Sequence, residues 1–95
     1  MSDKHICKVS SSGTKKWYLN GKLHREDGPA VEWPDGSKEW LLNGKRHRED
    51  GPAVEYADGS KSWWLNGREC DKKDYYKELV KRGIMTYENA VLEML

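Results

Sequence analysis

Phenylalanine is absent from this 95-residue chain, whose rings are carried by five tryptophans and five tyrosines. Each of those rings brings a polar N–H or O–H along with its apolar area. Cysteine is scarce too: Cys7 and Cys70 are the only two, in no paired-thiol or zinc spacing. That excludes a densely disulfide-stapled scaffold, and thiols near opposite ends of the chain are expected to stay free in a reducing compartment. No apolar run nears the roughly 18–20 residues of a membrane span. The opening Met-Ser-Asp-Lys-His-Ile-Cys lacks the apolar stretch of a secretory signal, so a cytoplasmic location is expected. Neither sign of charge dominates: 17 lysines and arginines face 16 aspartates and glutamates, for a net charge of +1. Interspersed signs argue against the one-signed stripe of a duplex nucleic-acid binder.

What is present is repetition. His-Arg-Glu-Asp-Gly-Pro-Ala-Val-Glu runs from His24 to Glu32 and again from His47 to Glu55. Trp17, Trp40 and Trp63 recur every 23 residues, each leading into Leu-Asn-Gly at Leu19, Leu42 and Leu65. Gly13, Gly36 and Gly59 open the Gly-Thr/Ser-Lys triplet upstream of each tryptophan. A short period of this kind means one supersecondary unit stacked on copies of itself. At this length the copies form a single domain over residues 1–95, too small for a deep core around an enclosed active site.

Two turn signals punctuate each unit. Asn20-Gly21, Asn43-Gly44 and Asn66-Gly67 suit two-residue hairpin turns that need positive φ at both positions. Pro34-Asp35-Gly36 and Ala57-Asp58-Gly59 read as type I turns followed by a left-handed glycine. Between them lie strand formers such as Lys38-Glu39-Trp40-Leu41-Leu42 and Ala53-Val54-Glu55-Tyr56, with a bend or bulge predicted at Asp27-Gly28-Pro29 and Asp50-Gly51-Pro52. The expected fold is mainly β (α+β): an antiparallel meander of about two strands per repeat over residues 13–70. Residues 1–12 supply a degenerate leading strand, and residues 71–95 a helical tail that caps the array. In that tail Asp71 caps a helix striped by Tyr75, Tyr76, Leu79 and Val80. Lys81-Arg82-Gly83 ends it, and Thr86 caps a second helix with Tyr87, Ala90, Val91, Met94 and Leu95 as its apolar set.

Alternation assigns the faces. Trp17, Leu19 and their equivalents share one face, with His24 and His47 across from Trp17 and Trp40; it is the expected core. Tyr18, Leu41 and Trp64 point the other way and still carry large apolar groups, so part of that face needs a cover. Either the tail or a partner could supply it.

Asn43-Gly44-Lys45-Arg46-His47, followed by Tyr56-Ala57-Asp58-Gly59-Ser60-Lys61, resembles the MORN repeat, and the resemblance covers residues 13–70. Arg25 and Arg48 stand where MORN repeats carry glycine after the histidine, and the spacing around the Asp-Gly turn is redistributed. The likeness is thus to a divergent MORN-like family. The Leu-Asn-Gly-Lys…His-Arg-Glu-Asp-Gly-Pro-Ala form also resembles uncharacterised repeat proteins of bacteriophages and large DNA viruses. That resemblance implies stacked β-hairpins serving protein association, with lipid binding claimed for some MORN arrays. A phage protein of this shape would bind and block a host protein, such as an antiviral defence component, in the host cytoplasm.

Catalytic and metal readings of His24-Arg25-Glu26-Asp27 and its copy fare poorly. His24, His47 and Cys70 occupy equivalent positions, but rungs two strands apart separate them by roughly 10 Å. One zinc ion, holding its ligands at about 2.0–2.3 Å, does not span that gap. Acids and bases repeat as a ladder instead of converging, so no enzyme, cofactor or metal is expected. The candidate binding residues are Tyr18, Trp33, Leu41, Tyr56 and Trp64, with Arg25 and Arg48, because aromatic rings and arginine dominate interface energetics. The expected role is a non-catalytic protein-binding module. The alternatives are a small-ligand, lipid-headgroup, nucleotide or single-stranded nucleic-acid binder, or a homo-oligomer assembled through strand edges.

Overall fold

Each Asn-Gly pair adopts the turn its residues favour. Asn20, Asn43 and Asn66 have φ of 51°, 52° and 53°, and the glycines after them 83°, 80° and 82°. Asparagine tolerates this left-handed backbone, and glycine has no Cβ to oppose it. The computed structural model describes residues 5–95; of the predicted leading strand, residues 1–4 lie outside the described part. The turns close three hairpins: β2 (Lys15–Leu19) with β3 (Lys22–Leu23), β6 (Leu41–Leu42) with β7 (Lys45–Arg46), and β9 (Lys61–Leu65) with β10 (Arg68–Cys70).

The Asp-Gly turns are as regular. Trp33 N–H donates to Ser37 O at 2.9 Å and Gly36 N–H to Trp33 O at 3.0 Å; Tyr56 and Gly59 repeat both bonds at 2.8 and 3.0 Å. The Asp35 and Asp58 carboxylates accept the Ser37 and Ser60 N–H groups, each at 2.9 Å. These turns join the strands of an antiparallel sheet in the order β1 (His5–Val9), β2, β4 (Val31–Glu32), β5 (Lys38–Glu39), β8 (Val54–Glu55), β9, β10, with β3 beside β2 and β6–β7 a separate ribbon.

The tryptophan is the pivot of each of the first two repeats. Trp17 N–H donates to Ala30 O at 2.8 Å, and its carbonyl accepts His24 N–H at 2.9 Å. Trp40 does the same with Ala53 at 2.7 Å and His47 at 3.1 Å. Between the two bonds the chain leaves the sheet and returns, so His24 to Ala30 and His47 to Ala53 loop out opposite one residue, as an extended bulge. Successive hairpins are joined by matching bonds. Gly44 N–H donates to Leu23 O and Gly67 N–H to Arg46 O, both at 2.8 Å. Asn43 N–H donates to His24 Nδ1 at 2.8 Å and Asn66 N–H to His47 Nδ1 at 2.9 Å.

The third repeat has no loop of this kind. Cys70 stands where the histidines stand, opposite Trp63, and the chain turns directly into α1 (Lys72–Lys81). Asp71 caps that helix by accepting Asp74 N–H at 2.9 Å, and Gly83, with φ of 76°, follows its end. Thr86 Oγ1 caps α2 (Tyr87–Met94) by accepting Asn89 N–H at 3.3 Å. Leu65, Tyr75, Tyr76, Leu79 and Ala90 form the larger core cluster; Ala30, Val31 and Leu41 form a second, backed by Leu23.

One expectation needs correcting. Within the array the buried apolar residues are Ala30, Val31, Leu41, Ala53, Val54 and Leu65, with Thr14, His24 and His47 buried beside them; of the expected core face, Trp17, Trp40 and Trp63 are only half-buried. Alternation presumes unbroken strands, and the bulges interrupt it. The tail, in turn, covers Trp63 and Leu65 rather than the face of Tyr18, Leu41 and Trp64. Within α2 Ala90 alone is fully buried; Tyr87 lies exposed, as does Leu95, which follows the helix. The molecule measures 42 × 38 × 18 Å, a slab.

Candidate interaction groove

Arg25 and Arg48 follow His24 and His47, and their side chains fold back over the loops they begin. The Arg48 guanidinium lies 3.8 Å from the centre of the Trp40 ring and donates to Asp50 at 2.8 Å, Pro52 O at 2.9 Å and Glu55 at 2.9 Å. Arg25 repeats the pattern on Trp17 at 4.0 Å, with Asp27 at 3.1 Å, Pro29 O at 3.2 Å and Glu32 at 3.1 Å. One planar group thus covers an indole, satisfies a carbonyl and pairs with two carboxylates. Glycine at Gly28 and Gly51 leaves room for it: a Cβ there would stand 3.0 and 3.2 Å from the respective guanidinium carbons.

The two stiffened loops border one open groove of about 920 Å³. Arg25 to Pro29 form one wall, His47 to Asp50 the other, with Trp40 and Leu42 between them. The helical tail contributes Tyr76, Ile84, Met85 and Glu93. The duplicated segment and the unique tail therefore meet at a single place. His47 Nδ1 accepts Asn66 N–H, so its proton sits on Nε2 and reaches Glu49 Oε2 at 3.1 Å. In the first repeat His24 Nε2 stands 3.9 Å from Glu26. Among the described residues no three histidines, cysteines, aspartates or glutamates gather to hold a metal ion.

No family model matches the chain, and no curated protein or solved structure matches it significantly. No helix among the described residues is long and apolar enough to cross a membrane.

Of the residues singled out in the sequence, Arg25 and Arg48 line this groove and the aromatic set does not. Trp33 and Tyr56, 39% and 46% exposed, border a separate hollow of about 260 Å³ with Glu39 and Arg46. Trp33 Nε1 donates to Glu39 at 3.0 Å. Arg46 packs 4.9 Å from the Trp64 ring, whose Nε1 donates to Ser62 Oγ at 2.8 Å. Tyr18, half-buried, has the Lys8 ammonium 5.4 Å from its ring centre. Leu41 is buried and offers no surface to a partner. Ile84, Met85 and Glu93 escaped the sequence reading. The one available signal was Cys70 in the histidine position, which puts the start of the helix where a third loop would begin.

Tyr75 ties the tail to the second loop. Fully buried, it donates its hydroxyl to Arg48 O and accepts Gly51 N–H at 3.3 Å. Burial pushes its phenol from the ordinary 10 up to about 12. A folded pKa above the unfolded one means the contribution is complete below pH 10 and lost as pH rises through about 12. Unfolding free energy should fall by about 2 kcal/mol between pH 9 and 12 through this group. Urea titrations across that range should show a shallower decline for Tyr75→Phe; part remains, since burial raises Tyr76 as well. An unchanged decline in the variant would mean Tyr75 is not the group responsible.

Proposed function

We propose that this chain is a non-catalytic protein-binding module of divergent MORN-like repeats, which binds and blocks a host protein in the manner expected of a phage-encoded inhibitor of antiviral defence. The observation that supports it best is the groove: two loops held rigid by their own arginines, facing an unrelated helical wall. Preorganised loops lose little freedom on association, and this favours recognition of a macromolecular surface. The host and its defence system enter through the resemblance to viral repeat proteins alone. MORN-like repeat identity is likewise part of the proposal, supported by identical bonds recurring at a 23-residue interval around Trp17 and Trp40.

The edge strand β1 supports a second reading, self-assembly. Every residue of β1 is exposed, Ile6 and Val9 by 46% and 62%, and β1 ends the sheet. Such an edge can accept another strand. The tagged chain, incubated with host lysate, should retain one protein in stoichiometric amount and elute as a monomer when alone. Retention of no protein, combined with a rise in melting temperature on adding lipid vesicles, a nucleotide or single-stranded DNA, would replace the proposal with the ligand-binding alternative. Elution that shifts to larger size with concentration would favour self-assembly.

A further inference from the structure

We infer that the groove between the two loops receives a cationic segment of the partner protein, with lysine or arginine side chains flanking an apolar one. The inference rests on the protein-binding reading above and adds the chemistry of the occupant. Five carboxylates line the groove, from Glu26, Asp27, Glu49, Asp50 and Glu93, against the guanidinium groups of Arg25 and Arg48. Neither guanidinium is a free positive charge. Each is held between two carboxylates of its own repeat and a loop carbonyl.

Glu26, Glu49 and Glu93 are left over: among the described residues none of them pairs with a lysine or arginine. Glu49 is also aimed. His47 holds it by Nε2–H while remaining neutral, because Nδ1 is already used as an acceptor. The carboxylate is thereby oriented without being neutralised. A partner's guanidinium finds there an acceptor of fixed geometry. Beside these charges stand Trp40, Met85 and the half-exposed Ile84, a place for an apolar side chain. Phosphate, lipid headgroups and nucleic acid would meet uncompensated negative charge, which disfavours them as occupants.

The test uses the full chain and a fluorescein-labelled peptide of alternating arginine and leucine, followed by anisotropy at low and near-physiological salt. Glu49→Gln keeps the acceptor for His47 and removes the charge; Glu93→Gln removes a charge that makes no ion pair. Each should weaken the peptide about threefold, and both together about tenfold, with the wild-type affinity falling as salt rises. Glu69→Gln, on β10 and outside the groove, should leave affinity unchanged. A peptide with glutamate in place of arginine should not bind. Absence of binding by the cationic peptide, or binding indifferent to Glu49 and Glu93, overturns the inference. So does binding of the glutamate peptide or of single-stranded DNA at the same site. A host protein captured by the chain and cross-linked through Trp33 or Tyr56 instead would sink the cationic occupant while leaving the protein-binding reading intact.

Discussion

Leu79→Ala should cost about 4 kcal/mol of unfolding free energy, within the range seen for a fully buried leucine. Leu79 has no exposed surface and sits among Leu65, Tyr75, Tyr76 and Ala90, the larger of the two core clusters. All four neighbours are anchored in a helix or in the last hairpin, so the cavity cannot easily collapse. Domains of this size have only about 5–15 kcal/mol in total, and the melting temperature should drop by roughly 15 °C or more. Leu41→Ala provides the contrast. Its cluster is Ala30, Val31 and a partly exposed Leu23, a smaller set whose outermost side chain can move into a gap. About 2 kcal/mol is expected there. Urea denaturation of the two variants checks the ranking. Equal losses would mean that the array holds itself together and that the tail is an accessory.

The contrast also says which parts of the structure the sequence could reveal. Turns at Asn20-Gly21, Asn43-Gly44 and Asn66-Gly67, and caps at Asp71 and Thr86, depend on residues adjacent in the chain. Such features are legible because their chemistry is local. The cross-strand placement of His24 against Trp17 follows once the turn register is known. The loops were harder. Arg25 looks like a surface charge in the sequence, and only the bulge opposite Trp17 turns it back across the indole. The meeting of Met85 and Glu93 with Glu49 depends on how the tail packs, and no spacing in the chain encodes that. How far the face of Tyr18, Leu41 and Trp64 is covered was not legible either: Leu41 is buried, whereas Tyr18 and Trp64 are half-buried.

Arg48→Ala should be the most damaging change at the groove itself, lowering stability by about 3 kcal/mol. The substitution uncovers the Trp40 ring, a contact of about 1–2 kcal/mol for a desolvated cation over an indole. It also leaves Pro52 O without its donor and Asp50 and Glu55 without their counter-ion. Those carboxylates keep some contact with water, 85% and 35% exposed as side chains, so the full cost of a buried unpaired charge does not apply. Arg25→Ala should cost less. Its three bonds are longer than those of Arg48, its ring contact is 4.0 Å against 3.8 Å, and its loop lacks the brace that Tyr75 gives to Arg48 O and Gly51 N–H. Lysine at residue 48 should recover little, because a point charge cannot stack flat on the indole while serving three acceptors. Methionine separates the two contributions: it covers Trp40 without charge, so any stability it restores over alanine measures the packing alone. Thermal melts of these variants with Trp40→Leu as the second arm of a double-mutant cycle give the coupling directly. A coupling near zero would mean that the arginines are ordinary surface charges and the loops are not held as described. A coupling of about 1 kcal/mol or more would make the duplicated His-Arg-Glu-Asp-Gly-Pro segment a device for holding shape, with Glu49 and its neighbours left to meet the partner.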